Sequence, residues 1–293
     1  MIVITAPTGQ IGRQLLNNLL DSGEALRVIA RDPARLPEAV RRRVEVVAGS
    51  HGDPAVVDRA LDGADALFWL YPSDPRAPDA RAAALDFTKA AAAAVERHAV
   101  SHVVSISALG RGVTDRAGLV SIAWELNDLL AASGASFREL TLPGFMDNVL
   151  RQVGSIAEQG AFFEPSDPDL LRPMCATRDI AAAAASLLLD RGWTGRATRA
   201  VLGPREVSLR QMAQIASEVL DRPVRVETVP VEAYRARLLG AGFTESMAEA
   251  MVEMVVAKDA GLDDAEPRTP ESTSPTTFRT WCAEVLAPAM PPG

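Results

Sequence analysis

The eleven residues after Met1 constrain this chain more than any other stretch: Ile2-Val3-Ile4-Thr5-Ala6-Pro7-Thr8-Gly9-Gln10-Ile11-Gly12. A short β-branched run stops at a small residue, and a tight Thr-Gly turn follows. Gly12 then opens an amphipathic stretch that carries Leu15, Leu16, Leu19 and Leu20 on one face. Strand, tight loop and helix in this order form the opening unit of a dinucleotide-binding sheet. Gly9 lets the backbone approach a pyrophosphate, and Gly12 lets the helix pack closely on the strand. The helix N-terminus offers unsatisfied N–H groups and a positive dipole end to the anion. Thr8, Gly9, Gln10, Ile11 and Gly12 are therefore candidate cofactor-binding residues. Ala6 stands where the first glycine of such a loop is usual, so the loop must accommodate a methyl group there.

Residues 25–30 read as a second strand, whose end is where the ribose of a dinucleotide is inspected. An acidic residue there would accept a hydrogen bond from a free 2′-hydroxyl. This chain instead has Ala30 followed by Arg31, whose guanidinium can pair with a 2′-phosphate in a forked, charge-assisted way. The cofactor expectation is therefore NADP(H), preferred over NAD(H). The alternative is a solvated loop arginine neutralised locally by Asp32.

A net charge of −8 over 293 residues argues against a sequence-independent nucleic-acid binder, which needs concentrated Lys and Arg. Arg41, Arg42 and Arg43 form the one dense basic cluster and read as a solvated helix end. Two cysteines far apart in sequence, Cys175 and Cys282, make neither a disulfide framework nor a metal cluster. His51, His98 and His102 have no metal-ligand spacing, so no metal is expected. No leader peptide and no membrane span are read, which gives the expectation of a soluble cytoplasmic protein acting on a small molecule. The abundance of Ala, Arg, Gly and Pro suggests a bacterial source. A monomer and a homodimer both remain open.

Strand and helix signals alternate through the first half. Strands are expected at 44–48, 66–70, 102–107 and 137–142, and helices at 54–61, 79–98 and 116–133. Such alternation implies an α/β fold: a Rossmann-type doubly wound parallel sheet with right-handed crossovers. After Pro143 helices dominate, at 147–159, 179–190, 208–220, 231–239 and 245–257, with a final one at 276–286. Short strands are expected at 199–202 and 224–229, and a surface loop at 263–274. The division expected is a dinucleotide-binding domain over 1–145, with sheet contributions from later segments. A smaller, mostly helical substrate lobe over 146–293 would close over the carboxyl ends of the strands.

Several blocks together resemble the NmrA-like group of atypical short-chain dehydrogenases. The loop from Thr5 to Gly12 is similar to its nucleotide loop, and Arg31-Asp32-Pro33 to its NADP-selecting turn. Asp62-Gly63-Ala64-Asp65-Ala66-Leu67-Phe68-Trp69-Leu70-Tyr71-Pro72 resembles the fourth strand and the loop beside the cofactor, and Ser105-Ile106-Ser107-Ala108-Leu109-Gly110 the end of the fifth. Leu140-Thr141-Leu142-Pro143-Gly144-Phe145-Met146-Asp147-Asn148 resembles the block after the sixth strand, one residue shorter. Arg178-Asp179-Ile180-Ala181 and the stretch from Gly203 to Leu220 are similar to the second lobe. This resemblance implies that Leu70, Tyr71, Pro72 and Ser107 lie along the cofactor. It places Ser50 near the adenine, where many relatives carry Asp. A substrate pocket is implied at Tyr71, Ser107, Phe145, Met146 and Asn148.

The departures bear on the reaction. Ordinary short-chain dehydrogenases use a Tyr and, four residues later, a Lys on the helix after the fifth strand to move a proton. Alignment to the family puts Leu119 and Ala123 at those positions, and neither can do so. The expectation is an NADP(H)-dependent oxidoreductase passing hydride to an electron-poor acceptor such as a quinone or a conjugated or iminium system. For such acceptors, approximation and orientation do most of the work. Glu125 is the nearby acid considered as a proton shuttle, against a solvated helix face. Two other readings stay open: a dinucleotide-sensing regulator without turnover, and a cyclase or isomerase on the same fold.

Overall fold

The computed structural model describes residues 1–291. Six strands alternate with helices along the first half: β1 (Ile2–Ile4), β2 (Leu26–Ala30), β3 (Glu45–Ala48), β4 (Ala66–Trp69), β5 (His102–Ala108) and β6 (Ser136–Leu142). Between them run α1 (Gln10–Leu19), the short α2 (Glu38–Arg41), α3 (Pro54–Leu61), α4 (Ala80–Arg97) and α5 (Leu119–Ala131). The second half holds β7 (Gly144–Phe145), α6 (Val153–Gln159), β8 (Ala161–Glu164), β9 (Met174–Cys175), α7 (Thr177–Leu189) and β10 (Arg196–Ala200). It continues with α8 (Leu209–Leu220), β11 (Arg225–Thr228), α9 (Val231–Gly240) and α10 (Glu245–Asp259). The principal sheet has seven parallel strands in the order β10-β6-β5-β4-β1-β2-β3.

Both faces of this sheet are covered, which is why β1 and β4 at its centre are apolar throughout rather than alternating. Successive side chains of β1 point to opposite layers. Ile2 and Ile4 join Leu15, Leu16 and Leu19 of α1 and Ile180, Ala184 and Leu188 of α7. Val3 joins Val57 and Leu61 of α3 and Ala84 and Ala91 of α4. Alanines on α7 let it lie against α1, and a buried polar joint fixes the pair. Thr177 donates its backbone N–H and its hydroxyl to Asp147 at 2.9 and 2.7 Å, and Gln14 of α1 donates to the Thr177 hydroxyl at 2.8 Å. Asp147 thus caps α7 rather than its own helix.

The second half differs from the sequence expectation in several places. The strand expected at 199–202 is β10, which begins at Arg196 and adds to the edge of the principal sheet beside β6. β8 was not read from the sequence; it pairs with β11, and this two-stranded sheet with α6, α8 and Phe278–Trp281 encloses a separate core around Ile156, Phe162, Met212 and Trp281. The helix expected at 147–159 opens as a 3-10 turn, Met146–Gln152, before α6. The final helix runs as α only over Phe278–Trp281 and continues as a π-turn over Cys282–Leu286. α5 starts at Leu119 rather than residue 116. Gly118 has φ +54°, and a Cβ there would sit 1.9 Å from the Ala250 carbonyl oxygen, so the glycine lets α10 press onto the start of α5. Residues 263–274 are not simply a surface loop. Leu262 and Asp263 are buried, and Leu202 exchanges backbone hydrogen bonds with Ser272 and Ser274 at 2.7 and 2.6 Å. Its composition reads as a loop because its polar groups are satisfied locally, through the Thr269–Ser272 turn.

Candidate functional site

The connections of the sheet reverse direction between β1 and β4, and open α/β sheets bind ligands in the crevice beyond that point. A cavity of about 540 Å³ lies there, walled by Ala6, Thr8, Gly9, Arg31, Arg35, His51, Leu70 and Pro72 among others. Its floor is the turn from β1 into α1. Ala6 adopts the left-handed region with φ +49°, and its carbonyl oxygen accepts from the Gly9 N–H at 3.0 Å. That carbonyl also lies over α1: a Cβ at Gly12 would approach it to 2.2 Å. Gly9 sits at the N-cap, and no side chain caps the helix. The first-turn N–H groups of α1 therefore lack a side-chain acceptor where the cavity begins, the arrangement an anionic ligand requires. Ala6 meets this geometry in a conformation that costs a non-glycine residue about 1–2 kcal/mol.

Arg31 and Arg35 project into the same cavity, and among the described residues neither has a carboxylate within ion-pair distance. Asp32 turns to the backbone instead, accepting from the Ala34 N–H at 3.0 Å as the cap of a 3-10 turn. The opposite wall carries His51, whose Nε2 lies 3.0 Å from the Leu70 carbonyl oxygen and whose ring meets Trp69 and Phe87 edge-on. Burial, with a further push from the Arg31 charge, lowers the His51 pKa to about 4 against the upward pull of that hydrogen bond. The imidazole is therefore neutral at physiological pH. A phosphate-sized anion entering here meets two guanidiniums free of ion pairs, with the one lining carboxylate, Asp32, accepting from the Ala34 N–H. The residues present thus fit the adenosine end of a phosphorylated dinucleotide.

Leu70 also borders a second chamber of about 360 Å³, over the ends of β4, β5 and β6, so one cleft runs along the carboxyl edge of the sheet. Its walls are mostly apolar: Ile106, Leu119, Ile122, Ala123, Leu126, Leu142 and Phe145, with Tyr71, Ser107, Asn148 and Lys258 as polar points. Leu119 and Ala123 line this chamber and make its α5 wall apolar. Glu125 does not line it; its carboxylate pairs with Arg81 in a separate surface depression. The Ser107 hydroxyl donates to Glu139 at 2.6 Å, and Arg111 and Arg196 hold that fully buried carboxylate at 2.8 and 3.3 Å. Ser107 can therefore accept a hydrogen bond from a ligand, but its proton is already committed. Tyr71 is half-buried against Phe87, and burial raises its phenol above the usual range.

Thr8, Gly9, Arg31, Leu70 and Pro72 come together around the outer cavity, and Leu70, Tyr71, Ser107, Phe145 and Asn148 around the inner one. Other singled-out residues do not line either. Gln10 is exposed, and Ile11 and Gly12 are packed beneath the loop. The Ser50 hydroxyl accepts from the Gly52 N–H at 3.2 Å, leaving the neighbouring His51 on the wall. Met146 is 2% exposed in the core of the second half, because the 3-10 turn rotates it away while presenting Phe145 and Asn148. The sequence reading missed Arg35 and Lys258. Arg35 follows Arg31 across one 3-10 turn, a spacing that could have flagged it, whereas Lys258 carries no local signal.

Residues 7–191 match the NAD(P)H-binding family. The chain belongs to it. The resemblance to NmrA-like atypical short-chain dehydrogenases read from the motifs falls inside that family, and no helix among the described residues is long and apolar enough to cross a membrane. A curated relative from Streptomyces griseus, (4-alkanoyl-5-oxo-2,5-dihydrofuran-3-yl)methyl phosphate reductase, is 34% identical over 292 residues, 97% of each chain. The NAD(P)H azoreductase of Xenophilus azovorans is 28% identical over 92% of each chain. An Escherichia coli NADPH-dependent quinone oxidoreductase, solved with NADPH, superposes with a TM-score of 0.79 at 22% identity, covering 98% of this chain and all of that one. These proteins share fold and length with this chain, which is an oxidoreductase of the family using a nicotinamide cofactor.

Proposed function

We propose that the protein is an NADPH-dependent reductase of an electron-poor, conjugated small molecule, such as a quinone, an unsaturated lactone or an iminium or azo compound. The observation that carries this reading is the single cleft with two unlike ends. One end is a capless helix N-terminus flanked by two arginines without carboxylate partners; the other is a mostly apolar chamber with Leu119 and Ala123 on its α5 wall in place of a proton-moving pair. Thr8 and Gly9, with the backbone of Gln10, Ile11 and Gly12, would hold the pyrophosphate. Arg31 and Arg35 would hold the 2′-phosphate, which is the basis for NADP(H) over NAD(H). Leu70, Tyr71 and Pro72 would flank the nicotinamide ribose where the two chambers meet, with Ser107 accepting a hydrogen bond from the cofactor. Ser50 would act only through the backbone turn that sets His51.

The bound cofactor supplies a hydride. What the chain contributes is alignment and exclusion of water by the apolar wall from Leu119 to Leu126, with Phe145 and Asn148 closing the far side. Holding two reactants in line can lower a barrier by roughly 7–11 kcal/mol at best, enough for acceptors whose conjugation already spreads the incoming charge. A simple ketone has no conjugation to spread the incoming charge, and the wall at Leu119 and Ala123 offers no hydroxyl or amine in its place. The named activities of the curated relatives, toward an unsaturated lactone and an azo bond, support an acceptor of this kind. The test is NADPH consumption with benzoquinone, an acyl-butenolide, an azo dye and, as control, cyclohexanone. Turnover of conjugated acceptors and none of cyclohexanone is expected. NADPH binding without turnover of any acceptor would contradict the reductase reading and leave a sensor.

A further inference from the structure

Reduction of a conjugated carbonyl builds a negative charge, toward which Tyr71 and Asn148 of the inner chamber can offer neutral hydrogen bonds alone. Hydride adds to an electrophilic carbon, the π electron pair moves along the conjugated system, and the carbonyl oxygen becomes an enolate or hydroquinone anion. That oxygen needs a donor or a positive charge beside it. The Ser107 proton is spent on Glu139, and Leu119 and Ala123 are hydrocarbon. Among the residues lining the inner chamber, Lys258 is the one carrying a charge.

Lys258 lies in the last turn of α10, its side chain 17% exposed, with Nζ 2.6 and 2.7 Å from the two oxygens of Asp263. Asp263, on the buried turn that follows, is 4% exposed. The side chain borders both the inner chamber and a smaller one of about 140 Å³ that continues from it past Gly144, Phe145 and Asn148. Glu164 and Arg172 also line the smaller chamber, the latter paired with Asp259 at 2.8 Å. Desolvating a lysine–carboxylate pair costs several kcal/mol, and two apolar residues would fasten the turn to α10 as well. Asp263 engages two directions of an ammonium that has three protons.

We infer that the Lys258 ammonium, held by Asp263, binds the carbonyl oxygen of the acceptor and stabilises the negative charge that this oxygen gains on reduction. Lys258 is thereby a substrate-binding residue and Asp263 its positioning residue. The inference rests on the reductase reading for its substrate class but makes a claim that can be measured without turnover.

The probe is 4-nitrophenol, which ionises near neutral pH, whose phenolate oxygen stands for the anionic oxygen of the reduced acceptor, and whose visible spectrum distinguishes its neutral from its ionised form. With the protein in excess and no nicotinamide cofactor, its ionisation is followed against pH. A neighbouring ammonium is expected to move the bound dye's ionisation about one pH unit or more below that of the unbound dye, a tenfold preference for the anion. The shift is expected to vanish in Lys258→Met and to persist in Lys258→Arg. An equal shift in wild type and in a folded Lys258→Met variant, whatever its melting temperature, overturns the assignment. Should Lys258→Met not fold, the wild type alone decides: ionisation of bound dye at or above the unbound value overturns it. A Lys258-dependent shift without NADPH turnover of any quinone supports this site while the reductase reading falls. Turnover without the shift overturns the site and leaves that reading standing.

Discussion

Replacing Gly12 by alanine tests the packing that shapes the phosphate loop. The added Cβ would lie 2.2 Å from the Ala6 carbonyl oxygen, 2.8 Å from the Ala6 carbonyl carbon and 3.2 Å from the Pro7 Cα. All three are backbone atoms, so no side-chain rotation relieves the clash. Ala6 has little room to yield, since its φ of +49° is already confined to a narrow left-handed well. Overpacking of this kind costs about 1–3 kcal/mol, and the better helix propensity of alanine returns up to about 1 kcal/mol. The net expectation is a loss of about 1–2 kcal/mol, read as a lower urea midpoint at unchanged slope, or as a fall in melting temperature of about 2–4 °C. The same displacement moves the first-turn N–H groups, so dinucleotide affinity should fall together with stability. Ala6→Gly in the same chain gives the loop freedom to move away. The double variant is then expected to recover at least about 0.5 kcal/mol relative to the sum of the single changes. A Gly12→Ala protein as stable as wild type would refute the reasoning, because helix propensity would then outweigh a contact that is not as close as described.

Two further outcomes follow from buried polar groups. Asp147→Ala removes both acceptors from Thr177 at the joint between α7 and the block after β6, and is expected to cost about 2–3 kcal/mol in chemical denaturation. His51 and Glu164 should make stability depend on pH in opposite senses. The folded pKa of His51, about 4, lies below its ordinary 6.5, so its contribution is full above pH 6.5 and is lost as pH falls toward 4. Burial pushes Glu164 from 4.5 up to about 7, against the pull of Arg172 and Gln152, so its contribution is full below pH 4.5 and is lost as pH rises through 7. Each window amounts to about 3 kcal/mol at most. Urea melts across pH 4–8 should therefore show Glu164→Gln gaining on wild type as pH rises, and His51→Phe gaining as pH falls.

The first half of the fold is legible because its strands are short runs bounded by loops, β-branched in β1 and apolar in β4, and α1 and α3 each carry one apolar stripe. Neighbours in sequence there are also neighbours in space. Thr8, Gly9 and Arg31 could be placed for the same reason: their geometry is set within one strand–loop–helix unit. The second half resisted because its elements answer to distant partners. Arg196–Ala200 is a polar strand, exposed over its first three residues, and only the edge of β6 makes it one. The exchange of Met146 for core packing depends on a 3-10 turn that apolar spacing does not announce. Lys258 reaches the inner chamber only because Gly118 admits α10 against α5, a contact between residues more than a hundred positions apart.

The central claim is that the outer cavity holds a 2′-phosphorylated dinucleotide through Arg31 and Arg35. Its most direct test is calorimetric titration of NADPH, NADP⁺ and NADH into the wild type and into Arg31→Ala, at low and at raised salt. The account predicts that NADPH binds more tightly than NADH, that Arg31→Ala weakens NADPH by about tenfold or more with NADH little changed, and that salt narrows the difference. Equal affinity for NADPH and NADH in the wild type, or equal losses for both in the variant, would contradict it.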